Sequence, residues 1–173
     1  MLPDNLKENA QQIVDSIKAA SKILVTAHLR PDGDATGSVS GLVKSLQKAG
    51  KTVEAGMIDG IPERFAFVWP EVMLYREPTI DSDHDLIIVL DSGDADRTGF
   101  TYNRNPQKTT MINIDHHASN TMFGDLNYVD TQASAACEIV AALLDYGGFP
   151  IDADVAVSLM LGLVTDSRFF QNE

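Results

Sequence analysis

The sequence predicts an α/β protein with a doubly wound, mainly parallel sheet and helices on both faces. Three short, mainly apolar runs support this fold, because such runs are typical of strands buried on both faces of a parallel sheet. The runs are Ile23 to Val25, Leu86 to Leu90 and Thr109 to Ile114. Segments with helical spacing occur between and after the strands, and this order favours parallel strands joined by crossover connections.

The remaining elements follow from periodicity and from capping residues. Gly50 ends the helix after the first strand, since glycine readily adopts the conformation of a helix C-terminus. Asp152 is a suitable N-cap for the last helix, which places Asp166 just past its end. In chain order we predict helix 5–21, strand 23–26, a helix from about 39 to 49, strand 51–57, short helix 61–67, strand 86–90, strand 109–114, an edge strand at 128–129, and helices 133–146 and 152–163.

Some residues are predicted to be structural only. The acidic segment 81–85 precedes a strand and therefore lies at the amino end of the sheet, so we interpret it as a solvated turn with His84 on the surface. Phe67 and Trp69 are expected in the core. Cys137 is the only cysteine, which excludes an intrachain disulfide, and we expect a buried, inert thiol.

Length and composition predict one soluble, globular domain. The chain has 173 residues, of which 44% are hydrophobic. No apolar run approaches the about 20 residues that a membrane helix needs. The first ten residues contain no apolar signal core, so the expectation is a cytoplasmic protein with no membrane partner.

The charge of the chain restricts its partners. A formal net charge of −12 opposes binding of long duplex nucleic acid, which needs many phosphate contacts from basic side chains. A small phosphorylated substrate remains compatible, because bound metal ions can neutralise its charge locally. Clustered aspartates are costly unless a cation compensates them, so part of the excess acid is a candidate for metal ligation.

The loop after the first strand carries the first candidate cluster. His28, Asp32 and Asp34 lie within seven residues of one another, between a strand and a helix. In open α/β sheets such loops lie at the carboxyl ends of the strands, where ligands bind. One imidazole and two carboxylates suit a hard divalent cation. The alternative is an ordinary Pro-Asp-Gly-Asp turn with an aspartate that caps the helix.

Other acids and imidazoles follow the later strands or a helix end, and the fold predicts that all of them converge on one crevice. Four carboxylates and two imidazoles are too many for a tetrahedral zinc site, and they suit two divalent ions that share a bridging carboxylate. Mixed nitrogen and oxygen donors favour Mn²⁺, with Mg²⁺, Co²⁺ and Fe²⁺ as competitors. The candidate ligands are His28, Asp32, Asp34, Asp91, His116 and Asp166.

Four segments, in this order, resemble the motifs of the DHH phosphoesterase superfamily. Each motif is weak alone, but the ordered set is specific. They are His28-x-x-Pro-Asp32-x-Asp34, Asp91, Asp115-His116-His117 and Gly162-Leu-Val-Thr-Asp166. The stretch from Asp91 to Gly99, with Arg97, resembles the branch that degrades nanoRNA and 3′-phosphoadenosine 5′-phosphate, and a related branch cleaves dinucleotides.

The resemblance implies a role for each residue. His28 and Asp32 would bind one ion, while Asp34, His116 and Asp166 would bind the other. Asp91 would bridge the two ions. His117 would face the scissile phosphate without ligating a metal, and Asp115 would orient an imidazole. Three arginines near the motifs are candidates for holding substrate phosphate, since a guanidinium can donate two hydrogen bonds to it. They are Arg97, Arg168 and, with a surface role favoured, Arg30.

The resemblance also implies a second domain. Members of this branch usually carry a C-terminal substrate-binding domain with a Gly-Gly-Gly-His motif, and this sequence stops at Glu173. Gly147-Gly148 lacks the following histidine and is not that motif. We therefore expect residues 1–173 to form the catalytic domain of a longer enzyme, with impaired activity in this short chain.

Three functions remain open at this point. The first is a manganese-dependent phosphodiesterase or phosphatase that acts on short oligonucleotides or nucleotide phosphates. The second is an inorganic pyrophosphatase of the family II type, which shares the motifs but needs a basic second domain. The third is a non-catalytic metal- or nucleotide-binding module. The sequence does not fix the oligomeric state, and a homodimer is compatible with it.

Overall fold

A computed structural model describes residue 3 and residues 6–81 and 83–167. Its helices are α1 (Lys7–Ala19), α2 (Gly33–Lys48), α3 (Ala136–Gly147) and α4 (Ala153–Asp166), with short 3-10 helices at Glu63–Val68 and Asp96–Thr98. Its strands are β1 (Lys22–Thr26), β2 (Thr52–Gly56), β3 (Leu74–Tyr75), β4 (Thr79–Asp81), β5 (Leu86–Leu90), β6 (Thr101–Asn103), β7 (Thr110–Asp115) and β8 (Leu126–Val129).

The main sheet has six parallel strands in the order β3-β2-β1-β5-β7-β8. The predicted α/β class with a mainly parallel sheet is confirmed. The chain builds outward from β1 through β2 to β3 and then returns to β5 on the other side of β1. This reversal creates a topological switch point between β1 and β5, and ligands bind at such points in open α/β sheets.

The two faces of the sheet are covered differently. Ile23, Val25 and Ile88 face a core that contains the buried apolar side chains of all four helices. Leu24 and Ile87 face the other way, into a smaller core closed by the β4–β6 pair and its neighbouring loops. The prediction had helices on both faces. Among the described residues the second face has this strand pair instead, because the connections before and after β5 each contain a short strand and no α-helix.

The segment before β5 differs from the prediction of a solvated turn. His84 is buried, and its Nε2 lies 2.7 Å from the Glu54 carboxylate. The Asp85 carboxylate accepts hydrogen bonds from the backbone N–H groups of Ser21 and Lys22, at 2.8 and 3.0 Å. Asp85 therefore satisfies backbone N–H groups at the beginning of β1. A pattern of charge in the sequence does not reveal such a role.

The predicted core residues have mixed outcomes. Cys137 is buried as expected, and Trp69 is partly buried against the helix-covered core. Phe67 was expected in the core, but it is 70% exposed, because the 3-10 helix Glu63–Val68 turns Phe65 and Val68 inward instead.

Close packing of α2 against α4 positions one side of the crevice. Three glycines spaced by four residues, at positions 33, 37 and 41, lie on one face of α2. A side chain at Gly33 would overlap Thr165, and one at Gly37 would overlap the Ser158 backbone. The two helices therefore approach closely, and the C-terminus of α4 lies beside the N-terminus of α2. No helix among the described residues is long and apolar enough to cross a membrane.

Candidate active site

Asp32 serves as the N-cap of α2, so the alternative interpretation of this loop, an aspartate that caps a helix, is correct. Its Oδ1 accepts hydrogen bonds from the backbone N–H groups of Asp34 and Ala35, at 2.9 and 3.0 Å. The same oxygen lies 3.8 Å from His28 Nε2, and the side chain stays 55% exposed. The carboxylate therefore caps the helix and still faces the crevice with room for another partner.

His28 presents its second ring nitrogen to the crevice. Its Nδ1 lies 2.7 Å from the Leu29 carbonyl oxygen, and because a carbonyl only accepts, Nδ1 carries a proton and in the neutral ring is the only nitrogen that does. Nε2 then points toward Asp91, whose Oδ2 lies 3.3 Å away. A histidine whose other nitrogen donates to a backbone carbonyl is the usual arrangement for a metal ligand.

Asp91 lies at the centre of the cluster, directly after β5. Its backbone has a φ of 51°, a left-handed conformation that few residues other than glycine adopt. Its side chain is 2% exposed, and Oδ1 has no hydrogen-bond partner among the described residues. Oδ2 faces His28, whereas Oδ1 lies 3.6 Å from His116 Nε2. The two oxygens of one carboxylate thus face two different imidazoles.

The second group of side chains consists of Asp34, His116 and Asp166. His116 Nε2 lies 3.8 Å from Asp34 Oδ2 and 3.6 Å from Asp166 Oδ2. Asp34 is buried and also caps α3, because its two oxygens accept from the backbone N–H groups of Ala136 and Cys137 at 2.6 and 2.9 Å. Asp166 is the last residue of α4 and not a residue past its end.

His117 is held by Asp115, the last residue of β7. Its Nδ1 lies 2.8 Å from Asp115 Oδ1, and Asp115 is fully buried. The same Nδ1 lies 3.6 Å from Asp91 Oδ1. Asp91, His116 and His117 therefore form a third group with potential metal-binding geometry, in addition to the two that the sequence predicted.

The cluster changes the pKa values of its members. Burial lowers the pKa of His28, but hydrogen bonding and charge from Asp32 and Asp91 outweigh it and raise this pKa to about 10. For His116 burial is likewise outweighed, by Asp91, Asp34 and Asp166, and the pKa rises to about 9. Without a metal, both imidazoles are therefore protonated at pH 7.

The two most buried carboxylates are shifted in opposite directions. Burial, with the charge of Asp91, raises the pKa of Asp34 to about 7. For Asp91 burial acts in the same direction, but the nearby imidazoles of His116 and His28 outweigh it and lower its pKa. Strongly perturbed pKa values grouped in a crevice are characteristic of functional sites.

The donors present fit divalent cations. The unpartnered Oδ1 of buried Asp91 is a polar atom that folding leaves unsatisfied, and such atoms usually have a functional reason. Each of the three groups offers ligand atoms that lie within 4.8 Å of one another. Oxygen and imidazole donors together suit Mn²⁺ and its neighbours among the first-row metals. The geometry does not assign each residue a role, so the ligand set remains a prediction.

The predicted arginines lie in different places. Arg97 has an exposed side chain, and its carbonyl oxygen accepts from the backbone N–H of Leu29 at 2.7 Å, which ties its loop to the loop of His28. Arg30 is also exposed, with a φ of 53°, and its N–H donates to Asp59 Oδ2 at 2.6 Å. Arg168 lies outside the described residues.

Sequence reasoning missed Asn120. Its side-chain amide contacts Asp115 Oδ2 and Asn113 Oδ1, at 2.6 and 2.7 Å, directly behind His117. Its position three residues after His117, in a loop, is the only signal in the sequence, and asparagine is so common in loops that this signal is weak.

A parallel α/β domain with an acid–imidazole cluster at its switch point belongs to the class of doubly wound domains that bind their ligands at the carboxyl edge of the sheet. A family model described as the DHH family, N-terminal domain, matches residues 22–163. The chain belongs to this family, and the predicted resemblance is confirmed.

Curated proteins with similar sequences are named as enzymes. A bifunctional oligoribonuclease and PAP phosphatase NrnA from Thermus thermophilus is 32% identical over 166 residues, covering 95% of this chain and 49% of that protein. The protein of the same name from Bacillus subtilis is 29% identical over 170 residues, covering 92% of this chain and 50% of the relative. The chain therefore spans about half the length of these relatives.

Solved structures support the fold. An exopolyphosphatase-related protein from Bacteroides fragilis superposes with a TM-score of 0.81 at 22% identity, over 95% of this chain and 52% of that one. RecJ from Thermus thermophilus, solved in complex with Mn²⁺, superposes with a TM-score of 0.57 at 18% identity, over 95% of this chain and 24% of that one. At these identities the likeness concerns the fold.

Proposed function

We propose that this chain forms the catalytic domain of a two-metal, manganese-dependent phosphoesterase that hydrolyses short oligonucleotides or 3′-phosphoadenosine 5′-phosphate. The observation that carries this proposal is Asp91. Its carboxylate is buried, has one oxygen without a partner, and directs its two oxygens to His28 and His116. This is the arrangement expected of a carboxylate that bridges two cations.

In the proposed centre His28 and Asp32 hold one ion, while Asp34, His116 and Asp166 hold the other. Divalent ions in such a site supply Lewis acidity and a nucleophile derived from water at neutral pH. The backbone N–H groups that bind Asp32 and Asp34 fix both carboxylates before any ion arrives. The centre is therefore preorganised by the N-termini of α2 and α3.

His117 is proposed to hold the substrate phosphate. Burial raises the pKa of Asp115, but hydrogen bonds from His117 and Asn120 outweigh it and lower this pKa, so the carboxylate is ionised and accepts. The Nδ1–H of His117 therefore donates to Asp115, which leaves Nε2 for the crevice. With its pKa raised by Asp115, the imidazole is suited to donate a hydrogen bond to a phosphate oxygen.

The substrate class has two independent supports. The relatives carry the name oligoribonuclease and PAP phosphatase. The net charge of −12 disfavours a long polyanion and leaves local neutralisation at the metal centre as the way to bind a small one.

A turnover assay with three substrates tests the proposal. The chain is incubated with Mn²⁺ and a dinucleotide, with 3′-phosphoadenosine 5′-phosphate, or with pyrophosphate, and each reaction is repeated with a chelator. We expect chelator-sensitive hydrolysis of one or both nucleotides and slower hydrolysis of pyrophosphate. Preference for pyrophosphate would replace the proposal with an inorganic pyrophosphatase. Tight binding of Mn²⁺ with no turnover on any substrate would indicate a non-catalytic module.

A further inference from the structure

A partly buried amide network lies behind His117, in β7 and in the loop that follows it. The Asn120 side-chain nitrogen lies 2.6 Å from Asp115 Oδ2, 2.7 Å from Asn113 Oδ1 and 3.3 Å from the Ser92 carbonyl oxygen. Its side-chain oxygen accepts from the backbone N–H of Met122 at 2.7 Å. Both ends of this amide are therefore used, so its orientation is fixed.

The network connects Asn120 to His117 through one carboxylate. Asp115 is fully buried and has two oxygens, of which Oδ2 accepts from Asn120 and Oδ1 from His117 Nδ1. Removing the amide would leave a buried carboxylate oxygen without this donor, which is costly. The carboxylate would then gain by rotating toward another donor, and the imidazole that it orients would move with it.

The same network fixes His117 relative to Asp91. Asn113 is fully buried, and its amide donates to the carbonyl oxygen of Ser92, the residue after Asp91, at 3.1 Å. Asn120 contacts that carbonyl as well. The loop of His117 and the loop of Asp91 are thus joined by amide groups that contact none of the candidate metal ligands through their side chains.

We propose that Asn120 is a positioning residue which, through Asp115, fixes the ring orientation and the protonated nitrogen of His117 toward the substrate phosphate. This inference rests on the proposed function. Partners that orient a functional imidazole typically change activity by about 10- to 100-fold when they are removed. Because Asn120 acts through His117, its effect should vanish when the imidazole is absent.

The kinetic test uses Asn120→Ala, His117→Ala and the double variant. We expect Asn120→Ala to lower kcat on the dinucleotide about 10- to 100-fold, with KM and bound Mn²⁺ unchanged. In the His117→Ala background it should have no further effect. Thr121→Val is the matched control. Thr121 is the residue next to Asn120, and this variant removes its side-chain hydrogen bond to the Gly93 carbonyl, a bond that does not involve Asp115. This control should keep the kcat of the wild type.

A spectroscopic test does not depend on turnover. In the metal-free, ¹⁵N-labelled protein, the Nδ1–H of His117 should give a signal protected from solvent exchange, and His117→Ala assigns it by loss. Asn120→Ala should broaden or remove this signal, whereas Thr121→Val should keep it. An unchanged signal in Asn120→Ala would overturn the inference, as would an equal fall of kcat in the wild-type and His117→Ala backgrounds. If the wild-type chain hydrolyses nothing, the proposed function fails, and this spectrum alone decides the role of Asn120.

Discussion

Asp91 combines three unusual properties at one residue: a buried carboxylate, a left-handed backbone with a φ of 51°, and an oxygen without a partner. Each of these costs free energy, since strained backbone and unsatisfied buried polar groups both destabilise a fold. The sequence predicted the position of Asp91 at the end of a strand. It could not predict the strain or the unpartnered oxygen, because both depend on neighbours that are distant along the chain.

We predict that Asp91→Asn weakens Mn²⁺ binding at both sites by more than about 100-fold, because the variant removes a shared anionic ligand. Asparagine tolerates the left-handed conformation, so the backbone should remain as it is. Asp96→Asn, an exposed change with the same loss of charge, is the control. Calorimetric titration measures the affinity, and two tightly bound ions per chain in Asp91→Asn would exclude Asp91 as the bridge.

Substitutions of the adjacent residues His116 and His117 should have different effects on metal content and turnover. His116→Ala should lose bound metal as well as turnover, because His116 Nε2 faces three carboxylates. His117→Ala should keep its metal and lose about 10²- to 10³-fold in turnover, the usual cost of removing one hydrogen-bond donor that stabilises charge in the transition state. Elemental analysis together with kinetics distinguishes the variants. Since His117 also lies 3.6 Å from Asp91, equal metal loss in both variants would make His117 a ligand.

Metal binding should depend on pH, because metal ions bind neutral imidazole. His28 and His116, with pKa values of about 10 and 9, hold protons that Mn²⁺ must displace. At pH values below these pKa values, the apparent affinity for Mn²⁺ should increase about tenfold with each unit of increasing pH for each displaced proton.

The stability of the metal-free protein should change in the opposite direction. A raised histidine pKa stabilises the fold fully below the unfolded value of about 6.5, and this contribution is lost as pH rises toward 9 to 10. Thermal unfolding from pH 6.5 to 8.5, with and without Mn²⁺, measures both effects. If added Mn²⁺ raised Tm by the same amount at every pH, the predicted pH dependence of metal binding would be wrong.

At the scale of elements, the apolar runs predicted β1, β5 and β7 to within one residue at each end. They succeeded because these strands are buried on both faces and composition alone marks them. The β4–β6 pair was missed. Thr79–Asp81 and Thr101–Asn103 have three residues each and mixed polarity, so their pairing is specified by long-range contacts with the sheet and not by a local pattern.

The close approach of α2 and α4 gives a prediction at this scale. A side chain at Gly162 would overlap Cys137 Sγ and Asp34 Oδ1, both of which are buried. Gly162→Ala should therefore lower the free energy of unfolding by about 1–3 kcal/mol, as overpacking does, and should weaken metal binding by displacing Asp34.

Gly41→Ala is the matched control in the same helix interface. Its new methyl group would meet Leu159 Cδ2 at 2.6 Å, the end of a flexible side chain that can move away from the site. Denaturant unfolding and metal titration of both variants measure the difference. If Gly41→Ala weakened metal binding as much as Gly162→Ala, the effect would be general helix displacement and not pressure on Asp34.

At the scale of the molecule, the sheet topology explains why residues as distant as His28 and Asp166 meet. The carboxyl ends of β1, β5 and β7 are adjacent in the sheet. The sequence predicted the single crevice from the doubly wound class alone, without the order of the strands. The sequence also predicted Asp166 in this crevice, but it did not predict the close packing of α4 on α2 that brings Asp166 beside His116. This packing depends on glycines in α2 whose partners are more than a hundred residues away, and no local periodicity reports such a contact.

The charge of the whole chain predicts a dependence on substrate length. With a net charge of −12, the protein should repel a polyanion at long range, while the proposed metal centre would neutralise only the phosphate bound there. We expect kcat/KM with Mn²⁺ to be at least about tenfold lower for a 24-nucleotide RNA than for a dinucleotide at low salt.

Raising the salt concentration should bring the kcat/KM values of the long RNA and the dinucleotide closer together, because screening weakens repulsion that acts over more than about 10 Å. A protein that binds nucleic acid through basic contacts shows the reverse, since its affinity for long strands falls as salt rises. Measuring kcat/KM for both substrates between 50 and 300 mM salt therefore separates the two cases. A long strand that is preferred at low salt and loses this preference as salt rises would show a phosphate-binding surface that overcomes the net charge, and the restriction to short substrates would then be wrong.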